Sequence, residues 1–196
     1  MLLYYIRHGL TDWNVAGRLQ GNRDIPLNQT GRAQAVQCGQ ILRDLLARDG
    51  RAVEDLDYVS SPLVRARETM EIMRGVLGLA PSRYGIEPRL TEISFGEWEG
   101  LTYAEVTVRD PDIVATREAD KWEFLPPGGE NYRQVVLRVG AWYATLERDT
   151  VVCAHGGTGR ALLALLGTAA REQAVHQEID QGVVYVLEKD SLVRYV

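Results

Sequence analysis

Short continuous apolar runs mark the strands of this chain. Leu2–Ile6 and Thr150–Ala154 are apolar throughout or nearly so, which is typical of strands buried on both faces of a sheet. The last two apolar runs are separated by residues 188–191, which predicts a terminal hairpin. The remaining predicted strands are Asp57–Ser60, Arg83–Pro88, Gly182–Leu187 and Leu192–Val196.

Helical patterns fill the spaces between these runs. Apolar residues recur at a spacing of about 3.6 after Thr30, which predicts a helix capped by Thr30 and ending near Arg48. Ser61 before Pro62 is a favoured N-cap and first-turn pair, and it predicts a second helix to about Leu77. Residues 11–29 are rich in turn formers and are interpreted as a loop. The other predicted helices are Asn131–Arg148 and Arg160–Leu166.

Strands that alternate with helices indicate an α/β fold. We expect a three-layer αβα sandwich with a mainly parallel central sheet, helices on both faces, and one domain spanning residues 1–196. The segment at about 91–127 is acidic, contains Trp98 and Trp122, and ends near the turn formers Pro126 to Gly129. We interpret it as a lid over one edge of the sheet.

Composition excludes several classes of protein. The chain has 45% hydrophobic and 25% charged residues, the balance of a globular protein. Its net charge of -5 predicts no nucleic-acid partner, and no apolar run is long enough for a membrane helix, so no membrane partner is expected. The first residues do not resemble a signal peptide, and Cys38 and Cys153 are interpreted as core thiols. We therefore expect a cytoplasmic protein.

Two buried strands are followed by similar polar residues. Leu2–Ile6 leads into Arg7 and His8, and Thr150–Ala154 leads into His155, while Arg65 lies early in the helix after another strand. In open parallel sheets, ligands bind beyond the carboxyl ends of the strands. The topology therefore predicts that two histidines and two arginines meet at one edge of the sheet.

Such a cluster suits a phosphate group. Arginine offers a rigid fork of donors to phosphate oxygens, and helix N-termini at Ser61 and after His155 would add backbone donors. A neutral imidazole can attack phosphorus and form a covalent intermediate. The histidines lack nearby ligands at metal-binding spacing, and arginines repel cations, so no metal is expected.

These motifs resemble those of the histidine phosphatase superfamily, which includes cofactor-dependent phosphoglycerate mutases. The similar segments occur in the family's order through most of the chain. They are Arg7–Gly9, Thr11–Asn14, Leu19–Gly21, Leu27–Gly31, Ser60–Thr69, Leu90–Gly100 and Ala154–Gly157.

The resemblance implies a role for each matching residue. It implies that His8 is the nucleophile, and that Arg7, Arg65 and His155 hold the phosphoryl oxygens. It implies that Glu92 is the general acid and later the base that activates water. No metal or other cofactor is implied. The further substrate-binding residues that it implies are Asn14, Gln20 and Gly156.

Some assignments have competitors. Glu130, beside the turn at Gly129, is the alternative to Glu92 as the acid. Arg67 and Arg160 are interpreted as helix-face or scaffold residues.

The predicted function is hydrolysis of a phosphomonoester through phosphohistidine, with a small phosphorylated metabolite as the partner. The segment Phe95–Gly100 resembles the phosphatase branch, and the stretch from Glu92 to Gly129 has only three basic residues, Arg109, Arg117 and Lys121. The first alternative is a cofactor-dependent phosphoglycerate mutase. The second is a non-catalytic phosphate-binding module. A homodimer is left open.

Overall fold

The carboxyl ends of β1 and β4 lie side by side at the centre of a six-stranded sheet. A computed structural model describes residues 1–196. The strand order is β3-β2-β4-β1-β5-β6. The first four strands in this order are parallel, β5 is antiparallel to β1, and β6 is antiparallel to β5. The mainly parallel sheet confirms the predicted fold class. The strands are β1 (Leu3–Arg7), β2 (Asp57–Ser60), β3 (Gly85–Ile86), β4 (Thr150–Ala154), β5 (Val184–Glu188) and β6 (Ser191–Tyr195).

Eight α-helices surround or extend the sheet. None of them combines the length and the apolar character that crossing a membrane requires. The helices are α1 (Asp12–Val15), α2 (Gln29–Arg48), α3 (Val64–Val76), α4 (Tyr103–Arg109), α5 (Pro111–Ala119), α6 (Tyr132–Tyr143), α7 (Gly156–Leu165) and α8 (Arg171–Ala174).

Alternate residues of β1 pack into separate cores on the two faces of the sheet. Leu3 and Tyr5 belong to a core of 20 buried residues with α6, α7 and α8. Tyr4 and Ile6 belong to a core of 15 buried residues with α2 and α3. Because successive strand side chains point to opposite faces, one apolar run supplies both cores. Helices therefore cover both faces, as expected for a three-layer sandwich.

Side-chain caps set the helix starts differently from the sequence prediction. The prediction of Thr30 as the cap of α2 is wrong, because Asn28 accepts a hydrogen bond from the Gly31 N–H at 2.9 Å. The predicted loop contains α1, whose capping box joins Thr11 and Asn14. These side chains satisfy N–H groups that have no partner inside the helix.

The predicted start of α3 is also wrong. The helix begins at Val64, and its first N–H donates to Oδ1 of Asp24 at 2.6 Å. The hydroxyl of Ser61 lies 2.7 Å from Nε2 of His155 instead of capping the helix. The first N–H of α3 therefore binds a carboxylate of the protein and is not free for a phosphate.

Other element boundaries also differ from the prediction. Helix α6 ends at Tyr143 rather than Arg148, because the Thr145 hydroxyl and backbone N–H both bond the Trp142 carbonyl. Strand β3 has only two residues, because Pro88 lacks an N–H and starts a short 3-10 turn. Helix α7 begins at Gly156, four residues before the predicted start.

Residues 91–127 form an excursion after β3 that carries α4 and α5. Its Trp98 is fully buried with Val106 and Val114 in a small core separate from the two main ones. The Trp98 indole donates to Asp110 at 3.0 Å, and Trp122 stacks on Tyr132. Both tryptophans therefore pack within or beneath this segment.

Candidate active site

Strand pairing brings the two histidines together. Arg7 of β1 lies opposite Ala154 of β4, and the His8 N–H donates to the Ala154 carbonyl at 3.0 Å. The rings of His8 and His155 are 5.2 Å apart, centre to centre. The residues that follow the two central strands therefore meet at one edge of the sheet.

The hydrogen bonds of His8 define its tautomer. Its Nδ1 lies 2.7 Å from the Gly9 carbonyl, which can only accept, so Nδ1 carries the proton. Its Nε2 accepts a hydrogen bond from Nε of Arg65 at 3.2 Å. Burial, with the charges of Arg65 and Arg7, holds the pKa of His8 well below its usual value. His8 is therefore a neutral imidazole with the Nε2 lone pair on the side of Arg65.

Both arginines beside His8 bond backbone carbonyls instead of carboxylates. Arg65 donates to the carbonyls of Gly21 and Arg23 at 2.8 and 2.7 Å. Arg7 donates to the Ile179 carbonyl at 2.8 Å, and its buried Nε has no partner in the protein. Buried charge without a counterion is costly, so this pair of guanidinium groups favours an anion.

His155 is fully buried between Ser61 and the sheet. Its Nε2 lies 2.7 Å from the Ser61 hydroxyl, and its Nδ1 has no hydrogen-bond partner in the protein. Burial and the nearby Arg65 and His8 hold the pKa of His155 well below its usual value. A second neutral imidazole therefore stands beside His8.

Glu92 reaches the site from the segment after β3. One carboxylate oxygen, Oε1, accepts hydrogen bonds from the N–H groups of Ile93 and Gly157, both at 2.9 Å. A Cβ at Gly157 would lie 2.4 Å from that oxygen, so the approach requires glycine. These two bonds fix the carboxyl group at the N-terminus of α7.

Glu130, the alternative acid, is engaged elsewhere. Both of its oxygens bond Arg138 at 3.0 Å, and Oε2 also accepts from the Ser94 N–H. Arg138 in turn donates to the carbonyls of Arg89 and Glu92. The Glu130–Arg138 pair therefore braces the backbone that carries Glu92.

The side-chain oxygens of Asn14 and Gln20, the two predicted amide residues, accept hydrogen bonds within the protein. Asn14 Oδ1 accepts from the backbone and hydroxyl of Thr11 and from Gln181, and Gln20 Oε1 accepts from the Thr11 hydroxyl. The NH₂ ends of Asn14 and Gln20 are therefore the ends available to a ligand.

A cavity of about 160 Å³ lies among these residues. It includes every predicted site residue except His155, which is fully buried next to His8. Gly156 lines it from the first position of α7, where backbone N–H groups lack partners inside the helix. The lining residues are Arg7, His8, Asn14, Arg18, Leu19, Gln20, Gly21, Arg65, Glu92, Phe95, Gly156 and Arg160.

Two basic residues of this cavity were not predicted as site residues. Arg160, interpreted from the sequence as a helix-face or scaffold residue, bonds the Gln177 carbonyl and the Tyr132 hydroxyl, and its side chain also lines the cavity. It lies four positions after Gly156 on α7, and this spacing places both on one helix face. That spacing is the signal that sequence reasoning missed. Arg18 lies in a turn-rich segment whose sequence has no such periodicity.

Comparison with known proteins identifies the family. Residues 3–192 match the model of the histidine phosphatase superfamily, branch 1. Glucosyl-3-phosphoglycerate phosphatase of Mycobacterium tuberculosis is 35% identical over 178 residues, which cover 84% of this chain and 74% of that protein. A 2,3-bisphosphoglycerate-dependent phosphoglycerate mutase of Gloeobacter violaceus is 29% identical over 197 residues, covering 97% of this chain and 86% of that protein.

A solved structure shows the same fold. Mycobacterial hydrolase 1 superimposes with a TM-score of 0.78 at 29% identity, over 94% of this chain and 90% of that one. The family model spans nearly all of the chain, including both central strands and the segments that follow them. The chain therefore belongs to the histidine phosphatase superfamily, branch 1.

Proposed function

We propose that this protein hydrolyses small phosphomonoesters through a phosphohistidine on Nε2 of His8. One observation carries the proposal: the proton of His8 is fixed on Nδ1 by the Gly9 carbonyl. Nε2 of His8 therefore carries no proton, and its lone pair can attack phosphorus once the Arg65 N–H that bonds it turns to a phosphoryl oxygen. Neither guanidinium group beside it has a carboxylate partner. A neutral nucleophile among cations suits attack on a phosphate dianion.

The first step transfers the phosphoryl group. Nε2 of His8 forms a bond to phosphorus while the bond from phosphorus to the alcohol oxygen breaks. Arg7 and Arg65 stabilise the charge on the phosphoryl oxygens, and His155, whose ring lies 5.2 Å from that of His8, holds these oxygens with them. Glu92, in its protonated form, gives its proton to the departing oxygen. The further phosphate contacts are the amide groups of Asn14 and Gln20 and the N–H of Gly156.

The second step returns the enzyme to its starting state. Glu92, now a carboxylate, takes a proton from a water molecule that attacks phosphorus. The bond between phosphorus and Nε2 breaks, and inorganic phosphate leaves. His8 is again neutral, and Glu92 is again protonated. No metal ion or organic cofactor takes part in either step.

Trapping the intermediate tests this proposal. Turnover of a ³²P-labelled phosphomonoester in excess EDTA, stopped with alkali, is expected to leave label on His8 that is stable to base and lost in acid. His8→Ala should carry no label. His176→Ala, which changes an exposed histidine outside the site, should be labelled like the wild type. Label that persists in His8→Ala would place the nucleophile elsewhere.

Phosphoglycerate mutase activity is the second candidate. It is favoured by the basic residues Arg117, Lys121 and Arg160 near the phosphoryl cavity, which could hold a second acidic group. The 35% identical phosphatase supports hydrolysis instead. Incubation with 3-phosphoglycerate and a trace of 2,3-bisphosphoglycerate distinguishes them. Hydrolysis releases inorganic phosphate, whereas a mutase forms 2-phosphoglycerate without net release of phosphate.

A further inference from the structure

The turn at residues 21–23 lies between two largely buried charged groups. On one side, the guanidinium group of Arg65 donates hydrogen bonds to the carbonyls of Gly21 and Arg23. On the other side lies the carboxylate of Glu99, whose side chain is only 9% exposed. Glu99 takes no part in the two chemical steps, so the burial of this carboxylate has another physical reason.

A single peptide group connects these two charges. Its carbonyl, that of Gly21, accepts a hydrogen bond from Nη2 of Arg65 at 2.8 Å. Its N–H, that of Asn22, donates to Oε1 of Glu99 at 3.1 Å. Because both bonds involve a charged partner and belong to one planar amide, each polarises the amide in the direction that strengthens the other. Glu99 is therefore linked to Arg65 through one intervening peptide group.

The carboxylate of Glu99 is anchored to the excursion at residues 91–127. Oε1 of Glu99 also accepts hydrogen bonds from the Ser94 hydroxyl at 3.1 Å and from the Phe95 N–H at 3.3 Å. The other oxygen, Oε2, lies 3.5 Å from Nε of Arg23. The excursion therefore fixes the carboxylate, and the carboxylate in turn holds the turn against the excursion.

Close packing between the turn and Glu99 requires glycine at position 21. Gly21 has a φ of +49°, in the left-handed region that favours glycine. A Cβ at this position would lie 2.5 Å from Cδ of Glu99, so a side chain would have to displace the carboxylate or the turn. The carboxylate therefore packs directly on the backbone of the turn that binds Arg65.

A carboxylate in this position stabilises Arg65 without blocking the site. Arg65 is fully buried, and a buried charge is costly unless other groups stabilise it. Burial lowers the pKa of Arg65, and the charge of Glu99 is among those that oppose this shift. Glu99 does not line the cavity that contains His8 and Arg65. It therefore acts as a counterion that does not compete with a phosphate for the guanidinium group.

We propose that Glu99 is a positioning residue for Arg65, and that it acts through the peptide group between Gly21 and Asn22. In this role the carboxylate holds the turn, and the turn holds the guanidinium group in the orientation that binds the phosphoryl oxygens. The inference rests on the proposed function, in which Arg65 binds the phosphoryl group of the substrate. It follows that the affinity for phosphate depends on Glu99, although Glu99 does not touch the phosphate.

Two substitutions of Glu99 test the proposal. Glu99→Ala should weaken the binding of inorganic phosphate, measured by calorimetric titration, and lower kcat/KM for p-nitrophenyl phosphate, each by about ten-fold or more. Glu99→Gln keeps the size of the side chain and an oxygen that can accept from the Asn22 N–H, but it removes the charge. Its losses should therefore be smaller, about three-fold. The control is Glu97→Ala, an exposed glutamate of the same segment, which should match the wild type.

A double-mutant cycle separates the positioning of Arg65 from a general structural effect. In an Arg65→Met background, Glu99→Ala should change phosphate affinity and kcat/KM by less than about three-fold, because the group that Glu99 positions is already absent. A general loosening of the protein would instead multiply the losses of the two single variants. Thermal unfolding shows whether each variant is folded at the assay temperature. The same cycle with Glu99→Gln provides the answer if Glu99→Ala does not fold.

The binding measurement distinguishes this inference from the proposed function. Wild-type phosphate affinity in Glu99→Ala, or an equal loss from Glu99→Ala in the wild-type and Arg65→Met backgrounds, would overturn the inference. Either result would leave the proposed function standing if label still accumulates on His8 during turnover. A protein that hydrolyses no phosphomonoester, yet loses phosphate affinity in Glu99→Ala only when Arg65 is present, would reject the proposed function and keep the inference.

Discussion

Nε of Arg65 lies 3.2 Å from Nε2 of His8 and donates a hydrogen bond to it. Because Arg65 also binds the Gly21 and Arg23 carbonyls, its guanidinium plane is fixed by three separate contacts. This arrangement keeps His8 neutral and places a cation beside the atom that attacks phosphorus. When the phosphoryl group binds, the Nε–H of Arg65 is in position to donate its hydrogen bond to a phosphoryl oxygen instead of to Nε2 of His8.

Arg65→Lys should reduce kcat/KM by about 10²–10³-fold, the usual effect of losing one transition-state donor. Lysine keeps the charge but cannot reach His8 and both carbonyls with a planar fork. Steady-state kinetics with p-nitrophenyl phosphate provide the measurement. Arg67→Lys, on the exposed side of α3, is the matched control and should keep wild-type activity. Equal activity of the two variants would contradict the role of Arg65.

Glu92→Gln should affect substrates according to their leaving groups. An alkyl phosphate needs a proton on the departing oxygen, so its hydrolysis should slow by about 10²–10⁴-fold. p-Nitrophenyl phosphate has a good leaving group, so its rate of hydrolysis should fall much less. The control is Glu97→Gln, which changes an exposed glutamate in the same segment. Equal losses for both substrates would assign the acid to another residue.

Gly157→Ala should displace the Glu92 carboxyl group. The added Cβ would lie 2.4 Å from Oε1 of Glu92 and 2.6 Å from Cγ2 of Ile93, so one of them must move. We expect hydrolysis of alkyl phosphates to fall at least ten-fold, which kinetics would show. Gly75→Ala is the control, because a Cβ there meets nothing within 4 Å. The control should keep activity and gain up to about 1 kcal/mol of stability within helix α3. Unchanged kinetics in Gly157→Ala would show that this contact does not position Glu92.

The free energy of unfolding should fall as the pH drops below about 6.5. Burial holds the pKa values of His8 and His155 well below their usual value, so the unfolded chain binds protons that the folded chain does not. At pH near 5 these two groups contribute a slope approaching about 2.7 kcal/mol per pH unit. Denaturant unfolding at a series of pH values measures it. His8→Gln should remove about half of this contribution, and an unchanged slope would show that His8 is protonated in the folded protein.

The sequence alone determined the fold class and the edge of the sheet where the chemistry lies. Apolar runs without alternation marked β1 and β4 as buried strands, and the parallel arrangement required the residues after them to share an edge. His8, Arg7 and Arg65 follow from this rule, since it depends on local pattern and strand direction. Resemblance added Glu92, which periodicity by itself does not distinguish from Glu130.

Only the tertiary structure decided which hydrogen-bonding and charged groups already have a partner within the protein and which can bind a ligand. Asp24 accepts a hydrogen bond from the first N–H of α3. Ser61 contacts His155 instead of capping that helix. Likewise, Arg160 joins Arg117 and Lys121 around one cavity, although the first residue is far from the other two in the chain. Hydrogen bonds and charges act over a few ångströms in space, so partners distant in sequence are determined by packing and leave no periodic pattern in the chain.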